Sequence, residues 1–440
     1  MKKIFWTVLL AIIWLPLTAQ VSAFDKEKMD AYFNAIAESG EFMGSIAVAK
    51  NGEVLYQRSI GWADLANKKA ADNNTVYRIG SISKTFTAVL LLKAVEQNLT
   101  SLDTRLSKFF PQIQNANNIS LQHLLQHSSG IPNVTDDSAY LSWNTKPISK
   151  ETMIAKIAAN GSDFTPGTNA AYSNSNYILL THIVSAIFKK SYQDLVKEFI
   201  ITPLNLKRTF VGKKINPSNN ESFSYEYDNG WKISSETDMS VPEGAGNIIA
   251  TPTDLTQFMH GLMQGKLLNA ASLNQMKTIE KGFGLGLFPI PFYDKKGFGH
   301  TGGIDGFRSV ACYFPSDSIS YALTANGTAI ETNNISIAVL SILNNRSFTI
   351  PSFTKIAIPD STLIAYTGKY ASATLPIQIV ISKDANGLRG QVVGQSSFPL
   401  KAINTQKFSF EQAGVIIEFN LTNKELTLQQ AGQKLLFKKE

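Results

Sequence analysis

At 440 residues the chain exceeds what one ordinary core accommodates, which predicts two domains. Its 44% hydrophobic and 17% charged residues place it outside the composition of disordered chains. The net charge of +7 comes from lysines scattered in ones and twos (Lys68-Lys69, Lys213-Lys214, Lys295-Lys296) without interleaved aromatics, which argues against nucleic-acid binding.

The N-terminus has the layout of a secretory signal. Lys2 and Lys3 form a basic start, Ile4 to Leu15 an apolar run ended by Pro16, and Val21-Ser22-Ala23 a small-residue cleavage site. Cleavage there makes Phe24 the mature start and the protein exported, periplasmic or secreted. The competing reading is an uncleaved anchor, against which the run is short for a bilayer. No membrane span is expected after the signal is removed.

Helical periodicity covers Asp25 to Ala37. Ser45 to Lys50 and Val54 to Ile60 read as strands around Asn51-Gly52, a two-residue hairpin signal. Ser81 to Glu96 is a long helical pattern with Phe86, Val89, Leu90 and Leu92 on one side. Helices and loops dominate from about Leu99 to Leu268, and Thr251-Pro252-Thr253-Asp254 is a helix start. Strands return from Phe298 to Leu323, and Ile335 to Leu343 reads as a closing helix. The order predicts an α+β fold, with an antiparallel sheet flanked by helices and an inserted helical lobe.

Thr349 to Ser361, with Pro351 and Pro359, reads as a linker. Beyond it, Ile377–Ile381, Leu388–Val393, Lys407–Glu411, Val415–Leu421 and Leu426–Gln429 read as strands between turn signals. That pattern predicts a small C-terminal all-β, barrel-like domain. The expected organisation is a signal peptide at 1–23, a catalytic domain at 24–348, a linker at 349–361 and a β domain at 362–440.

Chemistry centres on Gly80-Ser81-Ile82-Ser83-Lys84. On a helix starting near Ser81, the Ser81 and Lys84 side chains lie three residues apart on one face. A lysine serves as base to a serine once desolvation lowers its pKa from about 10.4. The helix N-terminus adds free N–H groups that favour negative charge beside the nucleophile. S-x-x-K alone is weak, since it recurs at Ser352-Phe353-Thr354-Lys355. Y-x-N is equally unspecific: besides Tyr172-Ser173-Asn174 it occurs at Tyr32-Phe33-Asn34 and Tyr227-Asp228-Asn229.

Order supplies the specificity. Tyr77 to Ala88, containing Ser81-Ile82-Ser83-Lys84, resembles the nucleophile segment of the class C β-lactamase and DD-peptidase family of serine hydrolases. His123-Leu124-Leu125-Gln126-His127-Ser128-Ser129-Gly130-Ile131-Pro132 resembles that family's HLLTHTSGLP stretch. Pro166-Gly167-Thr168 through Tyr172-Ser173-Asn174 resembles its Y-x-N motif, and Gly246 to Leu255 its GGLxSTxxDL helix start. Gly299-His300-Thr301-Gly302-Gly303 is similar to its third motif. The resemblance spans roughly residues 25 to 345. The tail from Tyr366-Thr367-Gly368-Lys369-Tyr370 is similar to a lipocalin-like β domain that often follows such hydrolases.

The resemblance implies Ser81 as nucleophile, Lys84 as base and Tyr172, held partly as phenolate, as proton relay. Asn174 would hold Lys84 or a substrate carbonyl; His300, Thr301 and Gly303 would position substrate. The N–H groups of Ser81 and Gly303 would form the oxyanion hole. The family's β-lactamases carry K-T-G where this chain has His300-Thr301-Gly302. A histidine with an ordinary pKa of about 6.5 is a hydrogen-bonding relay at pH 7, not a fixed cation. H-T-G versions imply esterases, D-aminopeptidases and D-amino-acid amidases ahead of a DD-carboxypeptidase or β-lactamase. Arg308 could supply a charge, with a plain structural role favoured. The implied substrate is a small molecule or peptide, peptidoglycan-derived peptides included, with no cofactor. The alternative of another class is a binding protein that acylates without turnover.

Other signals are weaker. His123 and His127 have i, i+4 spacing without the glutamate of H-E-x-x-H, and read as buried, hydrogen-bonded histidines. Gly297 to Gly302 matches G-x-G-x-x-G but precedes strands. No G-x-S-x-G elbow occurs. Cys312, the sole cysteine, reads as a buried strand residue.

Overall fold

The computed structural model describes residues 24–440 apart from 229, 351–355, 374, 376, 385–386, 395–396, 411–412 and 431–432. The leader at 1–23 and the second S-x-x-K at Ser352 to Lys355 lie outside the described residues. No helix among the described residues is long and apolar enough to cross a membrane.

Helix α1 (Lys26–Ser39) starts where the Asp25 side chain accepts the Lys28 amide and stops at Gly40 in the left-handed conformation. It buries Met29, Tyr32, Phe33 and Ile36, one helical stripe. Strands β1 (Phe42–Lys50) and β2 (Glu53–Ile60) form the expected hairpin. Asn51 and Gly52 both take positive φ, 53° and 84°, as a two-residue turn between right-twisted strands requires.

A short 3₁₀ turn, Gly80–Ile82, leads into α2 (Ser83–Glu96), so the α-helix proper begins two residues after Ser81. Helix α2 is buried on every side from Ser83 to Leu92. It forms the centre of the helical lobe with α3 (Asn174–Phe188), buried without interruption from Ser175 to Val184. Helix α4 (Pro252–Met263) starts as its sequence predicts: Thr251 accepts the Asp254 amide and Pro252 sits at the first helical position.

The central sheet is antiparallel, in the order β3-β4-β5-β6-β1-β2, with β3 at Phe288–Phe292, β4 at Lys295–Ile304, β5 at Phe307–Phe314 and β6 at Ile319–Thr328. Helices α1 and α5 (Thr332–Leu343) cover one face, and α4 lies on the other. Cys312 lies on β5, and burial pushes its thiol up to about 12.

Strand β3 was not expected. Pro289 and Pro291 break its hydrogen-bonding pattern, which only an edge strand tolerates. It pairs with β4 only from Lys295 to Gly299. From His300 onward β4 is therefore itself the edge of the sheet, with one backbone side free of strand pairing.

Beyond the catalytic lobe, α6 (Asp360–Tyr366) begins within the stretch read as linker. Eight strands between Gly368 and Lys439 close into an antiparallel barrel in chain order. Five of these strands are legible in sequence; Gly368–Ser372, Phe398–Ala402 and Gln433–Lys439 are additional. Eight strands leave an interior that side chains can fill. Tyr366, Tyr370, Phe408, Phe419 and Phe437 fill it here, with Tyr366 stacked on Phe419 at 4.3 Å. The expected α+β fold with a C-terminal barrel is what the chain adopts.

Candidate active site

The turn that carries Ser81 is built by close backbone approach. Gly80 sits at φ +50°, where a Cβ would lie 2.8 Å from the Gly303 nitrogen. A Cβ on Gly302 would meet the Ile79 carbonyl at 2.0 Å. Glycines at these positions let the turn before Ser81 press on the free edge of β4. The absence of side chains at 80 and 302 is what permits this approach.

A buried ion cluster holds the same two segments. Arg78, whose side chain is 1% exposed, pairs with Asp305 at 3.1 Å and Glu236 at 2.6 Å. Its guanidinium also donates to the carbonyls of Thr237 and Lys213. Asp305 in turn accepts from the Thr237 hydroxyl and amide. Arg78 lies three residues before Ser81 and Asp305 two after Gly303, so the cluster clamps both flanks of the site. It drew no attention in sequence because its three charges are scattered over more than two hundred positions.

Lys84 is fully buried. Its Nζ lies 2.7 Å from Asn174 Oδ1, 2.8 Å from the Ala245 carbonyl and 3.0 Å from Ser81 Oγ. No carboxylate is among these partners. Burial therefore drives its pKa well below the ordinary value of 10.5. A neutral amine has two N–H bonds and one lone pair. In that form the two carbonyl oxygens would take the N–H bonds, leaving the lone pair for the Ser81 hydroxyl.

The Tyr172 ring centroid lies 4.9 Å from the Lys84 nitrogen. Burial pushes the phenol upward, outweighing the opposing effect of the neighbouring Ser81 hydroxyl. Tyr172 thus departs from the expected partial phenolate. Desolvation by the surrounding side chains disfavours the charged phenolate.

His300 is buried beneath Phe288, with ring centroids 4.5 Å apart, and its centroid is 6.4 Å from that of Tyr172. Its Nδ1 lies 2.5 Å from the Thr301 carbonyl, so that nitrogen carries the proton in the neutral ring. Burial, then the nearby Lys84, lower its pKa to about 3. The imidazole is uncharged at neutral pH. Thr301 and Gly303 are exposed on the free part of β4. Arg308, opposite Gly303 in the adjacent strand, donates through Nη1 to the carbonyls of Asp305 and Phe307.

The two histidines of the second motif part company. The Nδ1 of His123 accepts the Ser120 amide in a helix cap. His127 packs on Tyr172 at 4.5 Å and accepts the Ser173 amide through Nδ1 at 3.1 Å. It is buried and hydrogen-bonded, as expected, and it also supports the tyrosine loop, which spacing alone could not reveal. Asn133 and Thr135 were missed altogether: both hydrogen-bond the Asn174 amide. All four polar groups of the expected set, at 81, 84, 172 and 300, thus converge on one site.

A family model described as Beta-lactamase matches residues 29–341. Among curated proteins, the chain is similar to Penicillin-binding protein 4* of Bacillus subtilis (strain 168), 24% identical over 433 residues, covering 90% of this chain and 94% of that protein. Among solved structures, a D-stereospecific amidohydrolase from Streptomyces sp. aligns with a TM-score of 0.62 at 26% identity, covering 72% of this chain and 99% of that one. The octameric penicillin-binding protein homologue from Pyrococcus abyssi aligns at 0.69 and 21% identity over 94% and 99% of the two chains, a likeness of fold.

Proposed function

The chain belongs to the beta-lactamase family, and from that premise we propose that it is a serine acyl-hydrolase working through a Ser81 acyl-enzyme on esters or amides, in the manner of an esterase or D-aminopeptidase. One observation carries the proposal: a buried lysine, held by two carbonyl oxygens, has its third position on the Ser81 hydroxyl.

In this reading Ser81 Oγ attacks the substrate carbonyl and its proton passes to the Lys84 lone pair. The N–H groups of Ser81 and Gly303 receive the developing oxyanion. Tyr172 hands its proton to the leaving group and recovers one from Lys84. Water then attacks the acyl-enzyme, returning Ser81 and Lys84 to their starting forms. Thr301 and His300 position the substrate, and Asn174 holds Lys84.

The substrate class follows from charge. His300 is neutral where a K-T-G lysine would present a cation, and the Nη1 of Arg308 is occupied by its own turn. Substrates without a carboxylate at that place are favoured over D-Ala-D-Ala-like peptides and β-lactams. The proposed organisation is an exported chain cleaved after residue 23, a hydrolase domain at 24–348, a linker at 349–361 and the barrel at 362–440. Peptidoglycan-derived peptides remain within the substrate class through their D-amino-acid amides.

The test sets the mature protein and Ser81→Ala against an activated ester, a D-amino-acid anilide and a chromogenic cephalosporin. Turnover of ester or anilide that vanishes in Ser81→Ala is the expected result. Faster turnover of the cephalosporin would favour the β-lactamase reading. A single stoichiometric burst would make the protein a binder, and undiminished turnover in Ser81→Ala would end the proposal.

A further inference from the structure

An asparagine side chain has nearly the same shape at both ends of its amide and opposite polarity. Which end faces Lys84 therefore matters more than contact itself. Asn174 turns its carbonyl to Lys84 at 2.7 Å. Its Nδ2 has two hydrogens, and both are taken: Asn133 Oδ1 lies at 3.1 Å and Thr135 Oγ1 at 3.1 Å. Asn133 Oδ1 also accepts the Asn174 backbone amide at 3.0 Å, while its own Nδ2 donates to Asp136 at 2.7 Å. That last bond fixes which end of Asn133 faces Asn174.

The turn carrying these groups is itself tied to the start of α3. The Ser175 hydroxyl donates to the Pro132 carbonyl at 2.7 Å and accepts the Val134 amide at 3.0 Å, and the Ser173 hydroxyl also reaches Pro132. None of these bonds touches Ser81 or the open side of the site.

We propose that Asn133 and Thr135 are positioning residues that set the proton-accepting direction of Lys84 by locking the Asn174 amide with its oxygen inward. The proposal rests on the reading of Lys84 as the base. With the oxygen inward, Asn174 accepts an N–H of the neutral amine and leaves the lone pair on Ser81. Reversed, Asn174 would point an N–H into that lone pair and compete with the Ser81 hydroxyl for it. The base would be occupied without any atom of the catalytic set having been removed.

The reversal has a pH signature. An oxygen beside the amine favours its protonated form, whereas an N–H beside it favours the neutral form. Loss of the lock should thus move the acid limb of kcat/KM to lower pH while the plateau falls. A merely loosened site would admit water, relieve the desolvation of Lys84 and move the limb the opposite way.

The experiment compares the mature protein with Thr135→Val, which removes one acceptor at nearly constant shape, Thr135→Ser, which keeps it, and Asn133→Leu. The substrate is whichever activated ester or anilide the parent turns over. Thr135→Val should lose about tenfold in kcat, the scale of one hydrogen bond, with KM little changed and the acid limb displaced downward. Asn133→Leu should lose more, with the same displacement, and Thr135→Ser should retain most of the parent kcat. Should Thr135→Val fail to fold, Thr135→Ala carries the same expectation. Parent-like kcat and acid limb in Thr135→Val, an acid limb displaced upward, or equal losses in Thr135→Val and Thr135→Ser would overturn the proposal. Failure of the underlying reading looks different: Lys84→Ala would then keep the parent's kcat and acid limb.

Discussion

Replacing Arg78 by Met should unfasten the site from beneath. The guanidinium is almost wholly buried and faces Asp305, whose side chain is 3% exposed, and Glu236, at 27%. Methionine fills comparable space but leaves Asp305 without its cation. Breaking one side of a buried pair costs about 3–5 kcal/mol. Glu236 can turn to water and Asp305 keeps its bonds to Thr237, which places the loss near the lower end, about 3 kcal/mol. At about 2 °C per kcal/mol for a large domain, the catalytic domain should melt about 6 °C earlier, and turnover should fall at temperatures where the variant remains folded. The assay is thermal unfolding followed by near-ultraviolet circular dichroism, with the barrel's transition treated separately because two folding units need not melt together. Adding Asp305→Asn to Arg78→Met should recover a large part of the loss, since the stranded charge is gone. A midpoint within 1 °C of the parent, or a double variant less stable by the sum of both losses, would refute the reasoning.

Two further outcomes follow from the site's backbone and charge. Gly80→Ala adds a Cβ at φ +50° that meets Gly303 N and O at 2.8 and 2.9 Å; separating the two oxyanion donors should lower kcat about 100-fold, read as a slower acylation burst, and full activity would show that the approach of the two segments is dispensable. For His300 the folded pKa of about 3 lies below the ordinary 6.5, so the unfolded chain binds the extra proton between them. Stability contributed by the neutral ring is present above pH 6.5 and lost as pH falls towards 3, by up to about 1.4 kcal/mol per pH unit. His300→Gln should flatten that part of the melting-temperature profile, and an unchanged acid slope would remove His300 as its source.

The residues legible in sequence are those whose partners are near in the chain or whose conformation is locally dictated. Asn51-Gly52 makes its turn because both positions tolerate positive φ. Ser81 and Lys84 meet because three residues of helix bring them together, and Thr251-Pro252 starts a helix from its own cap. The ordered motifs then carried the remaining expected site residues by resemblance. Strand β3 was hidden because its prolines are acceptable only at an edge, and edge position is a property of the assembled sheet.

Charge states were decided by packing. The phenol of Tyr172, the amine of Lys84 and the imidazole of His300 owe their displaced pKa values mainly to desolvation by neighbours from several segments, which no local pattern encodes. The Arg78 clamp and the Asn133–Thr135 lock join residues about 40 to 230 positions apart through a few hydrogen bonds each. Short-range sterics and periodicity thus wrote the elements and the Ser81–Lys84 pair into the sequence itself. Only the tertiary structure, by excluding water and bringing distant polar groups into register, decided which of those groups are charged and which way their hydrogen bonds run.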